Sequence, residues 1–235
     1  MLNPYNRTVM ISGANRGIGY AIARNLSEAG YQLSLGARNP DNITTSALAG
    51  EVMTHHYDAT DAATASQWTS ATLKRFGSID AVVLNAGVIK SVGIESGSEE
   101  DLDLMWNINF KGPWRLAKAT MPSLRTCGHG RIINIVSLSG KRLLSESNLG
   151  YSATKFAALA LTHAIRRTGW HDGIRSTAIC PGLVDTDMVL TVTTPDGEYK
   201  ITPETIAATV AYALSLPNEA VVAEILVNSR LEASF

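Results

Sequence analysis

A parallel α/β sheet, doubly wound and covered by helices on both faces, is the fold class this sequence predicts. Three observations predict it. Short β-rich apolar runs alternate with amphipathic stretches along the chain. The runs are continuously apolar rather than alternating, as strands buried on both faces by crossover helices must be. A glycine-rich turn, Ser12-Gly13-Ala14-Asn15-Arg16-Gly17-Ile18-Gly19, joins the first run to the first amphipathic stretch.

The elements follow in order. Thr8–Ser12 is the first strand, and a helix over residues 18–29 carries Ile18, Ile22, Leu26 and Ala29 at helical spacing. Gly30 ends that helix, as glycine commonly does one residue past a C-terminus. Residues 31–36 and 51–57 read as the second and third strands, with a short helical piece around 45–49 between them. A helix over Ala62–Phe76, closed by Gly77, leads to a fourth strand at 80–84. One long helix is expected over 99–124, disturbed near Gly112-Pro113 because proline breaks the helical ladder. Residues 131–136 form the fifth strand, 151–167 a helix, 174–180 the sixth strand, 203–216 the last helix and Glu224–Val227 the final strand. That makes about seven strands.

The 235 residues suit one domain, 1–235, and no repeat, low-complexity tract or linker marks a second. A hydrophobic fraction of 45% supports a sizeable core, and 17% charged residues is sparse for a disordered chain. With a formal net charge of −1 there is no broad attraction for nucleic acid or anionic lipid, so neither partner is expected. Cys127 and Cys180 have no CxxC spacing and read as two reduced structural thiols. Met1 to Arg7 leave no room for a signal peptide's apolar region. No apolar run approaches the roughly 20 residues that span a bilayer. A cytoplasmic location is the expectation.

Between a strand and a helix, Gly13, Gly17 and Gly19 have a mechanical reading. Glycine tolerates the tight turn, lets backbone N–H groups approach a pyrophosphate, and allows close helix–strand packing. The helix that follows directs its N-terminal N–H groups and dipole at the phosphates. The second strand ends Leu35-Gly36-Ala37-Arg38, with no carboxylate to accept from a ribose 2′-OH. Arg38 suits a 2′-phosphate instead, and Arg16 offers a second positive charge. The bland alternative is two solvated loop arginines. NADP(H) is the expected cofactor, with NAD(H) as the alternative.

Tyr151 and Lys155 stand four apart on a helix and share a face. Tyrosine's ordinary pKa of about 10 is high for a base near neutrality. A nearby ammonium favours the phenolate, and lysine can also bind ribose hydroxyls. Ser137 follows the fifth strand directly, at the end where open α/β sheets bind ligands, and its hydroxyl there suits a substrate carbonyl. Asn109, mid-helix, is either a surface residue or the holder of a water linking Lys155 to solvent.

These signals in this order, with Asn85-Ala86-Gly87 between the first and the rest, resemble the short-chain dehydrogenase/reductase family in its compact single-domain branch. The resemblance covers residue 8 to about residue 227. It implies a Rossmann-like fold and hydride transfer between a nicotinamide and a small alcohol/carbonyl substrate. By that resemblance Tyr151 is the general acid/base, Lys155 its pKa partner and ribose ligand, Ser137 the carbonyl orienter and Asn109 the proton-relay residue. The cofactor would be held by Gly13, Asn15, Arg16, Gly17, Ile18 and Gly19, with Arg38 at the 2′-phosphate. Asp58 and Ala59 look like the adenine-edge contact, and Asn85, Ala86 and Gly87 like the motif beside the adenosine ribose. Pro181, Gly182, Val184 and Thr186 resemble the segment that holds the nicotinamide. The family also implies a homodimer or homotetramer formed through the helices over 107–124 and 151–167.

There are departures from the family pattern. Ser12 replaces a usual Thr, and Leu84 replaces the first Asn of a common Asn-Asn-Ala-Gly. The interval from Ser137 to Tyr151 is one residue long for the family, so Ser139 competes for the orienting role. The C-terminal Glu224-Ile225-Leu226-Val227-Asn228 replaces a frequent Val-Asp-Gly-Gly ending. His55 and His56 are adjacent in a strand and face opposite sides, so no metal site is expected. Trp68, Trp106 and Trp114 read as core or subunit-contact residues. Substrate shape falls to segments 88–93, 138–150 and 183–202, the last carrying the turn signal Pro195-Asp196-Gly197 of a lid. A nucleotide-sensing protein on the same fold is the non-enzyme alternative.

Overall fold

A computed structural model describes residues 1–188 and 199–231. β1 (Thr8–Ser12), β2 (Gln32–Ala37), β3 (Val52–His56), β4 (Ala81–Leu84), β5 (Arg131–Ile135), β6 (Arg175–Pro181) and β7 (Glu224–Val227) pair in parallel as one sheet. Their spatial order is β3-β2-β1-β4-β5-β6-β7. The chain builds outward from β1 to β3, then crosses back to lay β4 on the other side of β1. At that reversal the crossovers leave in opposite directions and open a crevice at the carboxyl ends of the strands.

Alternate strand residues feed two layers. Val9, Ile11, Leu33 and Val83 pack with Ile22 and Leu26 of α1 (Gly17–Glu28) and with Ile206 and Val210 of α6 (Pro203–Ser215). Met10, Val82 and Ile132 face the other way, onto Trp68 of α2 (Ala62–Phe76), Leu116 of α4 (Gly112–Cys127) and Leu161 of α5 (Leu149–Gly169). Burial on both faces is why the strand sequences are apolar without alternation. Trp68 is fully buried and its Nε1–H donates to Ser34 Oγ at 2.8 Å. A Cβ on Gly36 would stand 2.6 Å from the indole, so a glycine in β2 makes room for that ring.

Most element ends lie within two residues of the sequence reading, an ordinary uncertainty of helix and strand ends. Two expectations need correction. Residues 45–49 form no helix; Thr45 and Leu48 close a single turn, Leu48 N–H to Thr45 O at 3.0 Å. Thr44, Thr45 and Ser46 are poor helix formers. The local helical turn lies earlier, at Pro40–Asn42, where Asn39 accepts the Asp41 N–H at 3.3 Å and proline presets φ.

The expected long helix is broken in two, with α3 (Glu99–Trp106) and α4 separated by a π-turn at Asn107–Lys111. The disturbance therefore sits upstream of Gly112-Pro113. Pro113 has no N–H for the Asn109 carbonyl four residues back, and its ring crowds that carbonyl. The ladder widens, with Gly112 N–H donating to Asn107 O. This wide turn rolls Asn109 inward until it is 2% exposed, which removes the surface reading of that residue. Among the described residues no helix is long and apolar enough to cross a membrane.

Candidate active site

The glycine turn leaves β1 at the crevice. Gly13 has φ +66° and donates its N–H to Gly36 O at 2.8 Å, tying the turn to β2. A Cβ on Gly19 would overlap the Gly13 carbonyl and stand 2.6 Å from Asn85 Nδ2, so only glycine lets α1 approach this closely. Arg16, at the N-cap, makes no side-chain capping bond. The first N–H groups of α1 thus point into the crevice with the positive end of its dipole. A cradle shaped this way, which a side chain would fill, fits a pyrophosphate.

Ser12 secures the neighbouring turn. Its Oγ accepts from Asn85 N–H at 2.9 Å and Ala86 N–H at 3.1 Å, and it donates to Val83 O at 3.3 Å. Asn85 Nδ2 donates back to Ser12 O at 2.9 Å and to Gly13 O at 3.2 Å. The Ser-for-Thr departure therefore keeps the one atom that matters, the hydroxyl oxygen. Gly87 continues this turn toward Asn109 and Lys155; a Cβ there would lie 3.4 Å from Asn109 Oδ1 and 3.8 Å from Lys155 Nζ.

At the other end of the crevice, Arg38 is exposed just past β2. His56 Nδ1–H donates to the Arg38 carbonyl at 2.8 Å and steadies its backbone. Burial works to raise the Asp58 carboxyl, but two bonds from Thr60 and the charges of Arg38 and His56 outweigh it and hold its pKa below the ordinary value. The Thr60 bonds run 2.8 Å from N–H and 2.7 Å from Oγ1–H. Ala59 is buried, and its carbonyl accepts from Arg115 Nη1 at 2.9 Å. Arg16 lines the crevice and its guanidinium meets Asp187 Oδ2 at 3.0 Å, with both side chains largely exposed.

The polar cluster lies beneath β5 and β6. Ser137 follows β5 and its Oγ accepts the Ser139 N–H at 3.0 Å. Tyr151 is 8% exposed; burial pushes its phenol up to about 12, with a hydrogen bond to Ser137 pulling the other way. Lys155 Nζ sits 5.6 Å from the Tyr151 ring centroid and donates to Ile135 O at 3.0 Å. Burial drops its pKa to about 8. The ammonium faces the ring rather than the hydroxyl, and desolvation governs both groups. The pair is assembled, but the phenol lies above its ordinary pKa rather than below it.

Asn109 bridges this cluster to the β4 end. Its Oδ1 accepts from Val88 N–H at 2.9 Å, and its Nδ2 donates to Val88 O at 2.9 Å and to Thr154 Oγ1 at 3.0 Å. Thr154 is a site residue the sequence reading missed, although it stands inside Tyr151-Ser152-Ala153-Thr154-Lys155 and is fully buried in a helix.

Most of these parts open onto one crevice of about 1130 Å³. Gly13, Asn15, Arg16, Gly17 and Ile18 line it with Arg38, Asp58, Ala59, Asn85, Ala86 and Gly87. Ser137, Ser139, Tyr151, Lys155, Pro181, Gly182, Val184 and Thr186 complete the wall. Gly19 and Asn109 act from just behind the surface. Asn228 and Arg230, beyond β7, also line it; only a parallel β7 beside β6 brings them there, which no local motif signals. The 183–202 segment is pinned at its base by Asp185 N–H to Ile201 O and Ile201 N–H to Leu183 O, both 2.8 Å. Pro195-Asp196-Gly197, the expected lid turn, lies outside the described residues.

Fold and crevice together define a Rossmann-like α/β protein, and comparison with known proteins specifies the family. A family model described as short chain dehydrogenase matches residues 7–196. Agropine synthesis reductase of Rhizobium rhizogenes is 37% identical over 91% of this chain, which spans about half (50%) of that protein's length. An uncharacterised oxidoreductase of Staphylococcus aureus is 33% identical over 94% of this chain and 96% of its own. An alcohol dehydrogenase from the archaeon Thermococcus sibiricus, solved with 5-hydroxy-NADP, superposes with a TM-score of 0.87. It is 35% identical, over 96% of this chain and 99% of that one. The chain belongs to the short-chain dehydrogenase/reductase family.

Proposed function

We propose that the chain transfers hydride reversibly between NADP(H) and a small alcohol/carbonyl pair, with Tyr151 as the general acid/base. The observation that carries this reading is the meeting of Tyr151, Ser137 and Lys155 in the same crevice as the glycine cradle. When bound, the nicotinamide supplies or accepts the hydride. The cradle at Gly13–Gly19 would hold its pyrophosphate, and Lys155 its ribose. In the reducing direction Ser137 Oγ hydrogen-bonds the substrate oxygen, and Tyr151 gives that oxygen a proton as negative charge grows there. A phenol held up to about 12 keeps its proton across the physiological range, which suits it to act as the acid in reduction. Asn109, braced by Thr154, holds the Val88 turn beside Lys155 and would position a water through which the proton is replaced.

The NADP(H) preference is supported by Arg38 with no carboxylate at the end of β2. Two structural neighbours carry that cofactor's chemistry, the Thermococcus sibiricus enzyme with 5-hydroxy-NADP and a metagenomic short-chain oxidoreductase, 26% identical at TM-score 0.82, with NADP. Arg38 carries the discrimination, and Arg16, which meets Asp187 in an exposed ion pair, adds a second positive charge at the crevice. Exposed Trp114 on α4 and Phe156 on α5 support pairing of subunits through those helices. Cys127 and Cys180, both unpaired, agree with a reducing cytoplasm. The test is oxidation of NADPH and of NADH by the purified chain against a panel of aldehydes and ketones. Turnover favouring NADPH is expected, with the preference collapsing in Arg38→Glu. Binding of NADPH without oxidation by any carbonyl or alcohol would contradict the enzyme reading, and a clear NADH preference would contradict the role of Arg38.

A further inference from the structure

Far from the crevice, at the amino ends of the strands, three side chains from separate elements converge. Asp80 immediately precedes β4, Cys127 is the last residue of α4, and His129 leads into β5. Their ligand atoms all lie within 4.8 Å of one another, the one such group of His, Cys, Asp or Glu among the described residues. The fold assembles it from topology. β4 and β5 are parallel neighbours, Ala81 opposite Arg131, so the start of one lies beside the corner that enters the other.

The group is held ready. Asp80 is 5% exposed, and its Oδ2 is fixed by Thr8 N–H at 2.9 Å and Ser78 Oγ–H at 3.1 Å. That leaves Oδ1 aimed at His129 Nε2, 3.4 Å away. The gap is long for an N–H···O bond, which runs about 2.7–3.2 Å. It matches the roughly 3.3 Å between two ligand atoms that sit about 2.0–2.1 Å from a tetrahedral zinc ion. Gly128, at φ +67°, turns the chain so that Cys127 and His129 present to the same carboxylate. The backbone N–H of His129 donates to the Cys127 sulfur, and Asp80 is oriented from behind by Thr8 and Ser78. Outer bonds of this kind fix metal ligands in place.

We propose that Asp80 Oδ1, Cys127 Sγ and His129 Nε2 bind one Zn²⁺, with water as the fourth ligand. A mixed sulfur, nitrogen and carboxylate set selects zinc over magnesium or calcium, which take oxygen alone. The neighbouring Arg7 and Arg131 oppose a bare cation, but one thiolate and one carboxylate neutralise its two charges. Cys127 Sγ, which contacts Leu124 O at 3.2 Å, gives up its proton on binding. The ion would clamp the start of β4 to the corner between α4 and β5, independently of the redox site. No sequence motif announces it, because Asp80 stands far along the chain from the other two.

Co²⁺ titrated into the full chain under reducing conditions tests this. The expected result is one ion per chain with a thiolate-to-cobalt charge-transfer band, absent in Cys127→Ser and bound at least roughly tenfold more weakly in His129→Gln. Zn²⁺ at about a hundredfold over its Kd should raise the unfolding midpoint by roughly 5–10 °C, an effect reversed by chelator. No band in the unmutated chain, a band surviving in Cys127→Ser, or unchanged affinity in His129→Gln overturns the site. Circular dichroism of both variants separates loss of a ligand from loss of fold.

Discussion

Replacing Lys155 with methionine should make the protein more stable while removing its activity. Lys155 is 6% exposed, and burial drops its pKa from the ordinary 10.5 to about 8. At pH 7 it is charged in both folded and unfolded chains. Holding that charge in the fold therefore costs about 3 kcal/mol, at ~1.4 kcal/mol per pH unit of displacement. Methionine fills much the same space without the charge. It loses the bond to Ile135 O, 3.0 Å long, and an unpaired carbonyl costs about 1 kcal/mol. The net gain is about 2 kcal/mol, or roughly 4–8 °C in Tm for a chain this size. The pH dependence has a definite sign. Between pH 8 and 10.5 the unfolded chain holds the proton that the folded chain has lost, so unmutated stability rises with pH. The advantage of Lys155→Met should be full at pH 7 and gone by about pH 10.5. Urea unfolding of both proteins at several pH values reads this directly, with equal m-values confirming comparable unfolding. A Lys155→Met chain no more stable at pH 7, or a gap that ignores pH, would refute the reasoning.

Three further outcomes follow from named contacts. Ser12→Ala strips the acceptor from the Asn85 and Ala86 N–H groups, which should cost roughly 2–4 kcal/mol in urea unfolding; Ser12→Thr should recover all but about 1 kcal/mol. Glu224 bonds Lys141 at 2.7 Å and His163 at 3.0 Å. Burial raises its pKa, but these two partners outweigh that and leave it below its ordinary value. Its contribution, about 1 kcal/mol, is present above the unfolded pKa and lost as pH falls through the folded one. The stability gap to Glu224→Gln should therefore close in acid, and a gap constant from pH 7 to pH 3 contradicts the pairing. For carbonyl reduction, kcat/KM should hold below pH 8 and decline above it as Lys155 loses its proton. A limb at pH 10 or higher would count against Lys155 as the titrating group.

The strands were legible because burial on both faces writes itself as unbroken apolar runs, and β1, α2 and β7 fall where the sequence puts them. The site's members were legible as residue types at the carboxyl ends of those strands. Three features were not. The effect of Pro113 appears at the carbonyl it cannot serve, so the break shifts upstream and turns Asn109 inward. The Arg16–Asp187 pair and the arrival of Asn228 and Arg230 at the crevice depend on strand order, not local sequence. The pKa values of Tyr151 and Lys155 follow from how deeply each is buried, and a four-residue spacing says only that they share a helix face.

The proposed chemistry rests on one hydroxyl, so Tyr151→Phe tests it most directly. NADPH affinity and turnover should be measured on the same preparation, by calorimetry and by absorbance. Affinity should stay within a fewfold while turnover falls by roughly 10²–10⁴, the usual worth of a positioned acid. A variant that keeps turnover within a few-fold of the unmutated enzyme would contradict the assignment of the proton to Tyr151.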